Sequence, residues 1–389
     1  MKRIVFGSSN HWTSPYQVGS HAWARLFARH DWSVAYISDP ITPWHWLGRT
    51  GRERTRERWA LWKSGGEWFE NRTVRAWVPC SLVAPQSLPV FRSRWVMESW
   101  DGFTVPRVES QLCKWGFDLP DILWLDSVRH AGWGKLLRPR KTILRIADWS
   151  PGFSTTPASV IEAERRLLAE ADLVIASSQS LEARLGEFRG NKPMLTIRNG
   201  VDAAFWKDPC PPPPEYLEIP APRAVYVGAL DEWFDVELLR QLAQRLSDVS
   251  FVIIGQRRHG PATDFSMPNI HWLGSRPREQ VRAYVQHANV GIIPFKRNDL
   301  IECVCPLKLY EYMACGLPVV ATRWDELERM NSPARLATGV GEWTAQLRQS
   351  LQAKQSAQSR DAEGESAYAL SNDWQCRWLE WQAAWGKLA

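Results

Sequence analysis

The sequence predicts an α/β protein of two consecutive domains, each a parallel sheet with helices on both faces. Three observations carry this. Short apolar strands alternate with helical patterns through residues 1–200. A proline-rich break follows. The alternation then resumes, with three successive strands that end in glycine. Strands separated by helices imply parallel pairing. The 389 residues are enough for two or three domains, each with its own core.

The elements follow in order. Lys2–Phe6 is an apolar run that ends in Gly7-Ser8-Ser9, the pattern of a buried parallel strand. A helix is expected over 18–29, with Ala22, Leu26 and Phe27 on one side. Further strands are expected at 33–37, 122–125, 142–146, 173–176 and 194–197. The clearest helix spans 157–171, with Thr156 as N-cap and Pro157 at its first position. Residues 208–222 hold seven prolines and predict a semi-rigid linker. The second series has strands at 224–227, 251–254, 270–273, 290–293 and 318–321. Helices are expected at 236–246, 277–287 and 307–315. Gly228, Gly255 and Gly274 close the first three of these strands. Glycine there lets a ligand approach the backbone at the carboxyl edge of a sheet. In the tail, Trp374, Trp378, Trp381 and Trp385 share one helix face, which must bury against something.

Composition narrows the partners. The chain has 24 tryptophans, a residue suited to half-wet places such as sugar clefts and membrane interfaces, or to a large core. The net charge of +6 comes from a basic first half and a mildly acidic second half. A basic segment with Trp44, Trp46, Trp59 and Trp62 spans residues 44–63. It is read as contact with the inner face of the cytoplasmic membrane, against the plain alternative of a solvated helix. No nucleic-acid-binding motif is recognised. The first residues do not read as a signal peptide, and no run approaches the ~20 apolar residues that cross a bilayer. Seven scattered cysteines without a CxxC pair are read as reduced thiols, and so as a cytoplasmic protein.

Residues 294–322, PFKRNDLIECVCPLKLYEYMACGLPVVAT, resemble the donor-site signature of GT-B glycosyltransferases. IRNGVD (197–202), VYVGALDEWFD (225–235), FVIIGQ (251–256) and NIHWLG (269–274) are similar to that family's pieces in their usual order. VFGSSNHWTSPYQVGSHAWARLFA at the front resembles enzymes of the teichuronic-acid type. LRIADWSPG (144–152) resembles the base-bearing region of xanthan-type glucuronosyltransferases. The resemblance implies two Rossmann-like domains facing a central cleft. Residues 1–203 would bind acceptor, joined by a returning C-terminal helix over 371–389. Residues 204–222 would link them to a nucleotide-sugar domain over 223–370.

Site residues follow from this frame. Lys308 and Glu311 are three apart at a helix start, where free N–H groups and the dipole favour an anion. Lys308 would pair with the donor diphosphate and Glu311 would accept ribose hydroxyls, as the resemblance implies, with Leu309 beside them. Gly228, Gln256 and Arg257 are further donor contacts, with Trp233 and Phe234 weaker ones. Arg257 or Arg258 could hold the carboxylate of a hexuronate. Inverting transfer needs a base, usually a carboxylate. Asp148, past a strand end, is the first candidate, and Asp126 and His11 are the others. His21 reads as helix surface. Ser9, Asn10, His11, Gln17, Gly19 and Asp126 are read as the acceptor side. Many retaining relatives carry a glutamate eight positions before the one matching Glu311. Here Cys303 stands there and Glu302 is one off, which favours inversion. No Asp-x-Asp cluster ends a strand, so no metal or other cofactor is expected. The expected activity moves a sugar, a hexuronic acid among the options, from a UDP-sugar to a lipid-linked saccharide acceptor. The alternatives are a retaining transferase on a soluble acceptor, a sugar-nucleotide epimerase and a non-catalytic scaffold.

Overall fold

The computed structural model describes residues 2–15, 17–46, 49–85, 91, 93–257, 267–356 and 360–386, without the side chains of 44, 46, 49–54, 353–356 and 360–362. Arg258, named above, lies outside them. The chain divides into two compact units, Met1–Ile197 and Arg198–Ala389.

The first unit contains β1 (Lys2–Ser8), β2 (Trp32–Ser38), β3 (Glu67–Phe69), β4 (Val74–Trp77) and the short pair β5 (Cys80–Ser81) and β6 (Thr104–Val105). It continues with β7 (Ile122–Leu125), β8 (Lys141–Ile146), β9 (Leu173–Ala176) and β10 (Met194–Thr196). Eight of these form one sheet in the order β10-β9-β8-β7-β1-β2-β4-β3. All its pairs are parallel except β3 with β4 at one edge. The chain runs outward from β1 through β2 and returns to its other side with β7. The carboxyl ends of β1 and β7 therefore flank the switch point, where doubly wound folds bind ligands.

The second unit repeats the plan with β11 (Arg223–Val227), β12 (Ser250–Ile254), β13 (Ile270–Gly274), β14 (Val290–Ile293), β15 (Val319–Thr322) and β16 (Arg335–Ala337). Their order is β13-β12-β11-β14-β15-β16, all parallel. The switch point lies between β11 and β14. Buried strands such as ILWL at 122–125 and VGII at 290–293 are continuous apolar runs because helices cover both faces.

Several expectations change. The helix read over 157–171 is Ala158–Glu170, and Pro157 itself is the N-cap, without a capping side chain. Residues 198–203 belong to the second unit. So does the proline-rich stretch. It is packed rather than suspended, because Tyr216 is buried and its hydroxyl donates to the Tyr284 carbonyl at 2.9 Å. The tail helix Trp374–Trp385 bonds the 199–201 segment, which was read as the end of the first domain and lies in the second unit. Trp374 N–H donates to the Val201 carbonyl at 3.0 Å, and Arg377 Nε to that of Asn199 at 3.1 Å.

The tryptophans are mostly core. Trp12, Trp23, Trp77, Trp100, Trp124 and Trp133 are buried in the first unit, and Trp206, Trp324, Trp343 and Trp381 in the second. In the 44–63 segment, Leu61 is buried, and Trp59 and Trp62 pack against Ile41, Leu61 and Val78. The described aromatic groups of that basic helix therefore face inward. Amphipathicity arises equally from a core-facing stripe and from a lipid-facing one, so periodicity could not separate them.

Trp124 is the centre of the first core. Its ring lies 5.1 Å from Trp23, 5.6 Å from Phe6 and 5.6 Å from Phe27. Trp124→Ala is expected to cost about 3–5 kcal/mol, read as a lowered urea midpoint with an unchanged slope.

Candidate active site

In the second unit the helix Leu307–Ala314 is set against the sheet by Tyr312. Its ring fills the space over Gly291, where a Cβ would come within 2.4 Å. Its hydroxyl accepts from Val227 N–H at 2.7 Å. This places Lys308 at the β11–β14 switch point. The Lys308 ammonium sits 4.9 Å from the Tyr226 ring and 4.5 Å from the Phe295 ring. Its Nζ lies 3.1 Å from where a Gly228 Cβ would stand. Burial among these groups pulls its pKa down to about 8, with Glu311 opposing. Glu311 follows on the same face. Burial pushes its carboxyl up, while Arg278 and Lys308 hold it down. Both side chains keep an accessible edge. A cation set against two aromatic rings, with a carboxylate on the same helix face, can serve an incoming anion.

The two strand-end glycines are required by contact. Gly255 has φ +157° and its Cβ would fall 1.7 Å from the Gly228 carbonyl oxygen. Gly228 N–H in turn donates to Ile254 O at 2.9 Å. Beyond them, Leu230 N–H donates to the Gln256 carbonyl at 2.9 Å, joining the two loops. Arg257 lies over the Trp272 ring at 5.3 Å, and Trp272 Nε1 donates to the Gly255 carbonyl at 3.0 Å. Sequence reasoning missed Trp272, which is exposed in the middle of β13, and Arg278. Both were visible only as an aromatic in an alternating strand and a cation at a helix start.

Not every donor candidate survives as a contact. Leu309 is wholly buried and its N–H donates to Pro306 O at 3.2 Å, so it is core. Phe234 is core too, packed 4.7 Å from Tyr226. Trp233 stays half-buried, its carbonyl accepting from Lys296 N–H at 2.8 Å. Glu302 is engaged by Arg297 at 2.8 Å and by Asp325 N–H at 2.9 Å, and Cys303 is buried. Cys303 thus stands where the retaining pattern has its second glutamate, with Glu302 one position before it.

In the first unit, β1 and β7 end beside a buried ion pair. Arg145 reaches Asp126 at 3.0 Å, and Trp124 Nε1 donates to the same carboxylate at 3.0 Å. Burial pushes the Asp126 carboxyl up, while Arg145 and Trp124, which occupy both of its oxygens, hold it down. Gly19 admits the Arg145 guanidinium, since a Cβ there would lie 2.7 Å from it. Gln17 shapes its loop, donating to Ser14 O at 2.9 Å and accepting from Arg25 at 2.9 Å. His21 is fully buried, not helix surface. It accepts from Val18 N–H at 3.2 Å and bonds the His11 carbonyl at 3.0 Å, so it braces the loop that carries His11. His11 is half-buried, and burial lowers its pKa to about 4, with Arg58 adding to that. Ser9 is exposed and Asn10 half-buried beside it.

Asp148 lies past the end of β8 and is exposed. The surrounding protein pushes its carboxyl above the ordinary range, while Arg145 pulls it down. Water over much of its surface screens that push. Among the described residues, no group of three or more His, Cys, Asp or Glu is placed to hold a metal ion, and no helix is long and apolar enough to cross a membrane.

Comparisons with known proteins bear on this geometry. Residues 221–351 match the family model described as glycosyl transferases group 1. TuaH of Bacillus subtilis (strain 168), assigned by its description as a glycosyltransferase of teichuronic acid biosynthesis, is 26% identical over 179 residues. That match spans 44% of this chain and 45% of TuaH. A sucrose-phosphate synthase of Thermosynechococcus elongatus has a similar structure, with TM-score 0.72 and 15% identity over 100% of this chain and 99% of that one. Anabaena HepE, solved with UDP and glucose, gives a TM-score of 0.67 at 14% identity over 100% of both chains. The E. coli trehalose-6-phosphate enzyme bound with UDP-2-fluoro glucose gives 0.66 at 12% identity over 98% of both. These likenesses show the GT-B fold.

Lys308 also yields a stability prediction. Its folded pKa lies below its unfolded value of ~10.4, so its charge disfavours the fold, fully so below about 8. Lys308→Met is expected to melt at a higher temperature than the parent at pH 7 without added nucleotide. The gap should shrink as pH rises above 8, because the folded parent sheds the proton that its unfolded chain keeps.

Proposed function

We propose that this chain, whose residues 221–351 form a glycosyl transferases group 1 domain, transfers a sugar from a UDP-sugar to a saccharide acceptor. The observation that carries the reading is the Lys308 ammonium, set between two aromatic rings against Gly228 with Glu311 on the same helix face. Such a cation meets the charge that develops on a departing diphosphate. Glu311 suits ribose hydroxyls. The UDP complexes of HepE support UDP as the nucleotide.

The acceptor hydroxyl attacks the anomeric carbon, and Asp148 takes the hydroxyl proton. The bond from that carbon to the diphosphate oxygen breaks, and UDP leaves with the electron pair. Lys308 stabilises it. A single displacement inverts the anomeric centre. The engaged Glu302 and buried Cys303 support this choice over a retaining route. The reaction needs no divalent metal, since Lys308 supplies the charge. The acceptor is lipid-linked and the enzyme works on the inner face of the cytoplasmic membrane. The basic first half and TuaH's assignment to teichuronic acid biosynthesis support that placement. A hexuronate is the proposed sugar, with Arg257 as its carboxylate partner.

Thermal shift against UDP, GDP, ADP and their sugars, UDP-glucuronate and UDP-glucose included, tests the donor. UDP-sugars at 100 times Kd should add about 2.7 kcal/mol of stability, and Lys308→Met should lose it. No shift with any nucleotide would remove the reading. Once a turnover assay exists, Asp148→Asn should lower kcat by about 10²–10⁴-fold while keeping the UDP shift, and EDTA should leave turnover intact.

A further inference from the structure

Another charged group stands at the carboxyl edge of the first sheet and takes no part in the steps above. Asp39 follows β2, and its N–H donates to Ser8 O at 2.9 Å. One carboxylate oxygen accepts from Ser127 Oγ at 3.1 Å and the other from the Arg129 guanidinium. Arg58 reaches in from the basic helix Arg49–Lys63 and donates to the Asp39 and Pro40 carbonyl oxygens at 2.6 and 3.0 Å. His130 is fully buried with Nε2 3.7 Å from the Asp39 carboxylate, and burial keeps it neutral. Arg129 thus holds the Asp39 carboxylate, while Arg58 stands beside it on the main-chain carbonyls of Asp39 and Pro40.

Among the described residues, the neighbouring histidines add no charge to this cluster. Burial holds His45 near pKa 4, with Arg58 adding to it, so the ring is neutral. Its Nδ1 accepts from Thr42 N–H at 3.0 Å, which leaves the ring proton on Nε2 as a donor. The cluster carries one positive charge in excess. Part-buried cations of this kind are stabilised when an anion pairs with them. Arg129 keeps 42% of its side chain accessible, so a ligand can reach it. Guanidinium forks match phosphate and bind it in two-pronged fashion.

We infer that Arg58 and Arg129, with the Nε2–H of His45, form a subsite for a phosphoryl group of the acceptor. This rests on the glycosyl-transfer reading and adds a substrate class to it. The phosphoryl group belongs to a prenyl diphosphate carrier if the acceptor is lipid-linked as proposed above, and a soluble sugar phosphate in its place would replace that part of the reading.

The test uses the full chain with UDP at saturation, so that the Lys308 site is filled. Inorganic pyrophosphate is titrated by calorimetry, beside sodium chloride at matched ionic strength. Binding to the parent is expected, with affinity about tenfold or more weaker in Arg129→Gln and partly restored in Arg129→Lys. The UDP shift should be the same in all three, which also certifies their folding. Pyrophosphate that does not bind the parent, binds Arg129→Gln equally well, or is matched by chloride would overturn the inference. Loss of UDP binding with an Arg129-dependent pyrophosphate response would instead sink the donor reading alone. Geranyl diphosphate in detergent against glucose 6-phosphate then assigns the source, and the tighter binder names it.

Discussion

Backbone crossing backbone without room for a side chain organises the second unit. Where Gly255 meets the Gly228 carbonyl, a Cβ would stand 1.7 Å from the oxygen. That closeness lets the loops after β11 and β12 join, through Leu230 and Gln256. It also leaves open the space that the Lys308 side chain enters. Tyr312 fixes the other coordinate by filling the volume above Gly291 and bonding Val227. The position of one ammonium group thus depends on three glycines and a tyrosine, none of which needs to touch a substrate. This is the kind of support that a preorganised charge requires.

The first unit uses glycine in the same way for different ends. Gly7 leaves room for the buried His130 ring, and Gly19 for the Arg145 guanidinium. Both glycines lie beside the β1–β7 switch point. Bulky groups from the later part of the unit thereby reach the edge of its first strand. Arg145 neutralises Asp126 inside the protein, and His21 ties the His11 loop to the helix Gly19–Arg29. Among the groups exposed at that edge are Asp148 and Ser9, with Asn10 half-buried beside Ser9.

Charge is handled differently in the two places. In the second unit a single cation is held by aromatic faces and a carboxylate, and its burial lowers its pKa to about 8. Such a site costs stability when empty of anion and regains it on binding, which is the usual exchange between stability and activity. In the first unit, permanently charged guanidiniums gather around Asp39. Arginine keeps its proton there, and its charge is met by Asp39, by main-chain carbonyls and by water at the accessible edge of Arg129.

Much of the framework was legible in the residues. Apolar runs such as ILWL and VGII, the glycines that end them and the alternation with helices determined two parallel sheets, because buried parallel strands need little more than continuous apolarity. The spacing of Lys308 and Glu311 determined that they share a face. Tertiary structure alone decided which polar residues remained available. Asp126 and His11 looked alike as groups past a strand end, yet a guanidinium from β8 claims Asp126 and not His11. Leu309 and Lys308 are neighbours on one helix, and the direction of the core separated them. The aromatic residues of the basic helix turned inward for the same reason. Periodicity states that a face exists, but only packing against the rest of the chain states what that face meets.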